Sequence, residues 1–294
     1  MAKYDCSKCP VGGRINPEDQ TCSVPDPDDG LPLACVGSWA EDKHARVRKY
    51  VDISRATRRM YITGTGGATF IELFCGPGRA RIRNTTRIVD GSTLVAAKEA
   101  QATGTMFTEL HIADANASFV NVASQRLARL GVQARTYAGR SEDTVKEVAR
   151  RLNKDGLHLA FLDPFDLKSL PFEVIRCLAG FKRMDMIIHV SLMDLQRNLD
   201  PYIGSQPSPL DIFVPGWRTV IEPMNSIATI RRGIFDYWLS LIRNEDMQPS
   251  QGIEKVTGLK NQPLYWLVFV ARHELAMKFW DEIRNVSDQQ QLGF

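Results

Sequence analysis

Three apolar runs in this sequence each end in residues that could bind a ligand or take part in chemistry. The run at 69–74 contains the acid Glu72 and leads into the turn Gly76-Pro77-Gly78, the second run ends at Asp114, and the third at Asp163-Pro164-Phe165. Glycine lacks a Cβ, so the main chain can approach a ligand closely at such a turn. The first run and its turn are typical of a nucleotide site, but also of an ordinary strand and turn.

A parallel sheet would bring these residues together. The apolar runs are short enough for buried strands, and helical patterns separate them, as in a sheet with crossover helices. The carboxyl ends of parallel strands share one edge, where doubly wound folds bind their ligands. Further strands are predicted at 132–138, 157–162, 184–191 and 264–271, and helices from Ser92, from 117 to Gly131, from 144 and from 274.

Asp114 has two interpretations that are compatible with each other. An acid after the second strand of a nucleotide-binding sheet accepts hydrogen bonds from ribose hydroxyls, usually about 20 residues beyond the glycine turn. The spacing here is longer, so an insertion precedes this strand. Alternatively, Asp114 caps the helix that follows it. At the third strand end, Asp163 and Pro164 would hold a carboxylate and an open carbonyl near the reacting centre, and Phe165 offers a ring for stacking.

The N-terminal segment, residues 1–37, holds four of the six cysteines in the pattern C-x2-C-x12-C-x12-C: Cys6, Cys9, Cys22 and Cys35. Its glycines and prolines leave too little apolar surface for the segment to order itself. Four thiolates around one structural Zn²⁺ would supply the missing folding free energy. His44 is a possible substitute ligand. An iron–sulfur cluster and a disordered tail with incidental thiols are the alternatives.

Composition narrows the class of protein. The chain has 294 residues, 44% of them hydrophobic, with a net charge of +3. This mild basicity permits nucleic-acid binding without arguing for it. A helix predicted after Ser38 has a basic face that includes Lys43 and Arg46, either solvated or facing an anionic partner. No apolar run is long enough for a membrane span, and the N-terminus is unlike a signal peptide, so we expect a cytoplasmic protein with reduced thiols.

The motifs together resemble a known family. The chain resembles the class I S-adenosylmethionine (SAM) methyltransferases and, more closely, the three-Cys-motif partner protein (TcmP) family. The matching pieces lie between residues 39 and 280: W-A-E-D-K-H-A-R-V-R-K-Y, F-I-E-L-F-C-G-P-G, G-S-T-L, L-D-P-F and P-L-Y-W-L-V-F-V-A-R-H-E-L-A-M-K-F-W. The family is named for a genomic partner that carries three cysteines, so a three-Cys-motif protein is an expected partner. The four N-terminal cysteines lie outside the match.

The resemblance implies a role for each matching residue. Gly76 and Gly78 would lie against the methionine half of SAM, Glu72 would orient its amino group, and Asp114 would take the ribose hydroxyls. Asp163, Pro164 and Phe165 would face the methyl acceptor as catalytic residues, with Asp163 able to accept a proton. The full set of cofactor-binding candidates is Glu72, Phe74, Gly76, Gly78, Asp114, Ser141 and Glu142, with Asp143 as an alternative near the adenine.

Two departures from related enzymes limit what the resemblance implies. Residues 163–165 resemble the D-P-P-Y motif of amino-methyltransferases, but one proline is missing and Phe replaces Tyr. Cytosine-C5 methyltransferases need a Pro-Cys pair, which this sequence lacks. The motifs do not identify the methyl acceptor, although a nucleic acid is favoured. The alternative function is a non-catalytic partner that binds a three-Cys-motif protein.

The expected architecture is a Rossmann-like class I methyltransferase fold. It has a mostly parallel seven-stranded sheet with helices on both faces, plus a small Cys-rich N-terminal segment. Residues 38–294 would form the methyltransferase-like domain. A substrate-side insertion at about 194–225 would cross the carboxyl edge of the sheet, since four prolines at 201–215 predict a long loop.

Overall fold

The computed structural model describes residues 6, 8–222, 226–257 and 263–291. The strands are β1 (Thr21–Cys22), β2 (Leu33–Val36), β3 (Ala68–Glu72), β4 (Arg79–Ile82), β5 (Ile88–Asp90), β6 (Glu109–Asp114), β7 (Arg135–Ala138), β8 (Leu157–Leu162), β9 (Met184–Ser191), β10 (Gln248–Pro249), β11 (Glu254–Thr257) and β12 (Pro263–Ala271). The helices are α1 (Ala40–Ile53), α2 (Arg55–Thr63), α3 (Ser92–Ala102), α4 (Ala117–Arg129), α5 (Ser141–Ala149), α6 (Phe172–Ala179), α7 (Leu192–Gly204), α8 (Pro209–Phe213), α9 (Ile227–Asn244) and α10 (Glu274–Gln291). Among these helices, none combines the length and apolar character needed to cross a membrane.

The large sheet has the order β10-β12-β9-β8-β3-β6-β7, with β11 also paired to β12. The five strands from β9 to β7 are parallel, as the sequence predicts, whereas β10, β11 and β12 pair antiparallel. Over the described residues this makes eight strands and not the predicted seven. Both β10 and β11 pair with β12, and β10 has only two residues. So short a strand carries no alternating pattern.

The parallel strands wind outward from β3 in two directions. At its carboxyl end, Glu72 is level with Phe161 of β8 on one side and with Ile112 of β6 on the other. In doubly wound sheets, ligands bind at the carboxyl ends of the strands where the strand order reverses. The glycine turn after β3 and Asp163 after β8 lie at this point of reversal.

Helices cover both faces of the large sheet, as predicted. Side chains along β3 alternate: Ile71 belongs to one core cluster, and Ala68 and Phe70 belong to the other. Helices α5, α6 and α9 supply the first cluster, and α1, α3, α4 and α10 supply the second. Trp238 and Trp280 are fully buried, one in each cluster. Burying a large apolar side chain contributes about 1.5–3 kcal/mol, so these two layers fix the sheet that carries the site.

The proline-rich insertion is largely helical, contrary to the predicted long loop. Pro201 lies within the last turns of α7, and Pro209 opens α8. Ser208 and Asp211 form a capping box around the start of α8. Proline is well tolerated in the first turn of a helix, because its missing N–H has no partner there, so Pro209 marks a helix start. Residues 223–225 of the predicted insertion lie outside the described residues.

The N-terminal segment forms a second, four-stranded sheet with residues that follow the glycine turn. Its order is β1-β2-β4-β5, and β2 runs parallel to β4. The segment is therefore ordered by pairing with β4, which its composition alone could not indicate. The boundary predicted at residue 37 stays a prediction. The helix predicted after Ser38 is α1, which starts at Ala40 after the N-cap residue Trp39 and has no side-chain cap.

Candidate functional site

The glycine turn after β3 is held in a conformation that favours glycine. Gly76 has φ +53° and Gly78 φ +82°. A Cβ on Gly78 would lie 3.3 Å from the Cα of Ala123 in α4, so this residue lies close against the helix. A Cβ on Gly76 would meet nothing within 4 Å. The turn thus packs on α4 through Gly78 and leaves open space beside Gly76 that a ligand can enter.

Asp114 is joined to the glycine turn, as the sequence predicts for two parts of one site. Its Oδ2 accepts from the backbone N–H of Gly76 at 3.0 Å, and its Oδ1 accepts from that of Asn116 at 2.9 Å. Burial raises its pKa, and both hydrogen bonds oppose this. Asn116, and not Asp114, is the N-cap of α4. Each oxygen retains a further lone pair that a hydroxyl group can use.

Glu72 lies beneath the turn and is fully buried. It accepts hydrogen bonds from the hydroxyls of Ser92 and Thr93, at the start of α3. Burial raises the pKa of Glu72 to about 8. The two hydrogen bonds lower this pKa, and the nearby charges of Asp163 and Asp114 raise it further. Its carboxyl group thereby joins the end of β3 to α3 and explains the G-S-T-L motif. Its predicted contact with the SAM amino group stays a prediction.

The remaining cofactor candidates lie on neighbouring elements. Ser141 starts α5, and its hydroxyl donates to the Ser169 carbonyl at 2.8 Å. Glu142 forms an ion pair with Arg140. Phe74 is partly buried against the larger core. The backbone joins this region to Asp114, since the N–H of Gly139 donates to the Asp114 carbonyl at 3.0 Å.

Asp163 is bound by a lysine that lies 120 residues earlier in the sequence. Lys43 Nζ of α1 lies 2.7 Å from Oδ1 and 2.6 Å from Oδ2 of Asp163, and Lys43 is buried. Burial alone would raise the pKa of Asp163, but the charge of Lys43 and its hydrogen bonds outweigh burial and hold the pKa below its ordinary value. A carboxylate so paired is a weaker base than a free one, which alters the role predicted for Asp163.

Two imidazoles flank this ion pair. His189 Nδ1 lies 3.4 Å from Asp163 Oδ1, and the His189 ring is 4.4 Å from that of Tyr265. Burial, together with the Lys43 charge, lowers the pKa of His189 to about 3 and that of His44 to about 4. Both imidazoles are therefore neutral at pH 7. Within the described part of the chain, neither buried Nδ1 has a hydrogen-bond partner.

Sequence reasoning missed Lys43 and His189 as parts of the site. Lys43 was predicted only as one charge on a basic helix face, yet it is buried, and no part in the site was predicted for His189. The signal for Lys43 was its place in W-A-E-D-K-H, a stretch that carries the family resemblance. Phe165, by contrast, is 65% exposed after β8, as a stacking residue would be.

A second cleft opens near the same edge of the sheet, between α7, α9 and β12. Leu192 directly follows β9, and Trp266 is level with Val190. The cavity has a volume of about 400 Å³ and is lined by Leu192, Gln196, Ala228, Arg231, Arg232, Phe235, Asp236 and Trp266. Phe235 and Trp266 stack with ring centroids 3.8 Å apart. The cleft combines guanidinium groups with aromatic rings.

The N-terminal cysteines do not support the predicted zinc site. Cys6, Cys22 and Cys35 share a small apolar cluster with Leu33 and Ile15, and all are free thiols. However, a search of the described residues finds no group of three or more His, Cys, Asp or Glu that could hold a metal ion. Burial and the nearby Cys6 raise the pKa of Cys35 to about 11, so this thiol is protonated at pH 7. Strand pairing and ion pairs order the segment, a role that the sequence analysis gave to the metal.

Comparisons with known proteins give structural similarity only. No protein-family model and no curated protein matches the sequence. Protein LPL1258 from Legionella pneumophila, of family DUF519, has a TM-score of 0.43 and 11% identity over 78% of this chain and 85% of its own. A SAM-dependent methyltransferase from Clostridium acetobutylicum has a TM-score of 0.31 and 13% identity over 50% of each chain. Rv0187 from MTB has a TM-score of 0.42 and 13% identity over 78% of this chain and 80% of its own. At TM-scores below 0.5, these similarities assign no function to the chain.

Proposed function

We propose that this protein is a SAM-dependent methyltransferase. The observation that carries the proposal is the arrangement at the point of strand reversal. There, Asp114 is hydrogen-bonded to Gly76, and the Cβ position of Gly76 faces open space. This is the place where doubly wound sheets bind nucleotide-like cofactors. The resemblance of the sequence motifs to class I methyltransferases supports SAM as the cofactor that such a turn and acid would hold.

The residues divide into a cofactor side and an acceptor side. Gly76 and Gly78 would lie against the methionine half, Asp114 would accept from the ribose hydroxyls, and Ser141 and Glu142 would lie near the adenine. SAM, when bound, supplies the methyl group. The chain contributes mainly by alignment, because correct orientation supplies a large part of the rate of a bimolecular transfer. Asp163 is held by Lys43, so its part is to orient an acceptor through hydrogen bonds next to Pro164 and Phe165.

We propose a nucleic acid as the acceptor. The cleft between α7, α9 and β12 supports this, since Arg231 and Arg232 lie beside the stacked Phe235 and Trp266. Guanidinium groups bind phosphates, and aromatic rings stack on unpaired bases. Anisotropy with a labelled single-stranded RNA tests this. Arg231→Gln with Arg232→Gln should weaken binding, whereas Arg243→Gln, an exposed position near the other end of α9, should not.

Calorimetry with SAM and S-adenosylhomocysteine tests the cofactor proposal. We expect dissociation constants in the micromolar range, and loss of binding in Asp114→Ala. Glu109→Ala is the matched control, because it removes an acid from the opposite end of the same strand. Absence of binding to either ligand would refute the proposal. It would favour the competing proposal, a non-catalytic protein that contacts a three-Cys-motif partner.

Catalysis is tested separately by transfer of a labelled methyl group from SAM to total RNA, DNA and protein. The reaction is run with and without the three-cysteine partner. Label in nucleic acid that disappears in Asp163→Ala would support the proposed acceptor and the role of Asp163. Label in protein alone would refute the nucleic-acid proposal.

A further inference from the structure

An acidic loop of the N-terminal segment, residues 26–29, contacts the chain next to the glycine turn. Arg79 directly follows Gly78, and its Nη1 lies 2.5 Å from Oδ2 of Asp26, while its Nη2 donates to Asp28 at 2.9 Å. The Asp26 side chain is fully buried, and that of Arg79 is largely so. A buried carboxylate requires such partners, because its charge is costly to leave unpaired.

Arg126 of α4 joins the same loop to the turn itself. Its Nη1 donates to the carbonyl of Pro77 at 2.6 Å, within the turn, and to that of Pro32 at 2.9 Å. Its Nε and Nη2 donate to Asp29 at 2.8 and 3.0 Å, and Nη2 also lies 3.3 Å from Asp26. The Arg126 side chain is 2% exposed. One guanidinium thus binds the turn on one side and the N-terminal segment on the other.

The turn needs contacts of this kind to keep one shape. Gly76 and Gly78 both have positive φ, and glycine has more backbone freedom to lose than any other residue. The planar guanidinium presents several donors in a rigid fork, so it fixes the direction as well as the distance of the Pro77 carbonyl. A lysine at this position would keep the charge and lose the fork.

We propose that Asp26 and Arg126 are positioning residues for the cofactor site, through which residues 26–32 set the shape of the glycine turn. This inference rests on the proposed function. The N-terminal segment is then a part of the cofactor site that touches no cofactor atom. Its removal or mispairing would weaken SAM binding while the large sheet stays folded, since both core clusters lie outside the segment.

The test compares Arg126→Lys with a matched control, Arg58→Lys. Arg58 is equally buried but donates to the carbonyls of Val51 and of Thr105, which precedes β6, whereas the site lies at the carboxyl end of that strand. Both variants should lower the melting temperature. Of the two lysine variants, only Arg126→Lys should raise the SAM dissociation constant, by about tenfold. Asp26→Asn should raise it by a similar factor. Equal SAM affinity in the two lysine variants would overturn the inference.

A second readout separates this inference from the proposed function. Hydrogen–deuterium exchange reports the opening of residues 76–79 without any ligand. We expect faster exchange there in Arg126→Lys and not in Arg58→Lys. If the wild-type chain binds no SAM, the proposed function fails. In that case, exchange at residues 76–79 still tests whether the N-terminal segment holds the turn. Unchanged exchange in Arg126→Lys would refute the inference as well.

Discussion

Lys43 and Asp163 are 120 residues apart in the sequence, yet Lys43 Nζ contacts both carboxylate oxygens at 2.7 and 2.6 Å. The pair joins the first turn of α1 to the carboxyl end of β8. It lies where the acceptor side of the proposed site begins, with the neutral His189 and His44 beside it. The charge of Asp163 is therefore set by a helix that precedes the sheet in the chain.

Removal of Lys43 should destabilise the protein strongly at neutral pH. Lys43→Met leaves Asp163 buried without its partner, at a cost of about 3–5 kcal/mol of unfolding free energy. Because the folded-state pKa of Asp163 is lowered, the stability it contributes is present above the unfolded pKa. That contribution is lost as the pH falls through the lowered value. Denaturation of wild type and variant at pH 7 and near pH 3 measures the difference, which should shrink in acid.

The double variant Lys43→Met, Asp163→Leu is the control for that experiment. Replacing both partners by apolar groups should recover most of the lost stability, since no buried charge is left alone. If the double variant is as unstable as Lys43→Met, packing and not charge explains the loss.

Glu72 should make the protein less stable as the pH rises. Its pKa is raised from 4.5 to about 8 by burial, so the folded state binds the proton more tightly than the unfolded state. Its contribution is therefore fully present below pH 4.5 and is lost progressively up to about pH 8. Glu72→Gln cannot titrate and should lack this part of the pH dependence. Parallel profiles of unfolding free energy for wild type and Glu72→Gln would contradict the raised pKa.

The two glycines of the turn should respond differently to alanine. In Gly78→Ala, a Cβ 3.3 Å from the Ala123 backbone adds a clash to an unfavourable φ, so the variant should lose stability. In Gly76→Ala the Cβ enters open space, so the cost is limited to backbone strain of about 1–2 kcal/mol. We expect Gly76→Ala to remain folded and to lose SAM affinity. Thermal melting and calorimetry on the same samples distinguish the two effects.

The buried thiols of the N-terminal segment should react slowly with iodoacetamide. The pKa of Cys35 is raised to about 11 by burial, so little thiolate is present at pH 8. Peptide mass spectrometry should find Cys22 and Cys35 modified only after denaturation. Metal analysis of the same native preparation tests the free-thiol state, and one zinc per chain would contradict it.

The sequence correctly predicted those parts of the fold that depend on local patterns or on general sheet geometry. The start of α3 at Ser92 and the parallel strands followed from apolar runs and turn residues. The placement of Asp114 near Gly76 followed because the carboxyl ends of parallel strands share an edge, whereas the hydrogen bond between them is a finding of the structure. In each case the signal lay within one element or in a general rule of sheet geometry.

The rest could not be predicted because it depends on pairing between distant segments. Nothing near Lys43 indicates that its partner is Asp163, and nothing near Asp26 indicates Arg79 or Arg126. A charged residue on a helix is predicted to be exposed to solvent unless its neighbours in space are known. The ordering of the N-terminal segment was missed for the same reason, since its contacts with β4, Arg79 and Arg126 lie elsewhere in the chain.

The parallel pairing of β2 with β4 has a consequence for folding during synthesis. Asp26 meets Arg79 across 53 residues and Asp29 meets Arg126 across 97. The N-terminal segment is therefore synthesised before β4 and α4, and its full set of contacts forms only once α4 has been made. Contacts of such long range form slowly, because loop closure precedes their gain in free energy. Over that interval Cys22 and Cys35 are not yet buried, and the glycine turn reaches its final shape only when residues 26–32 dock against it.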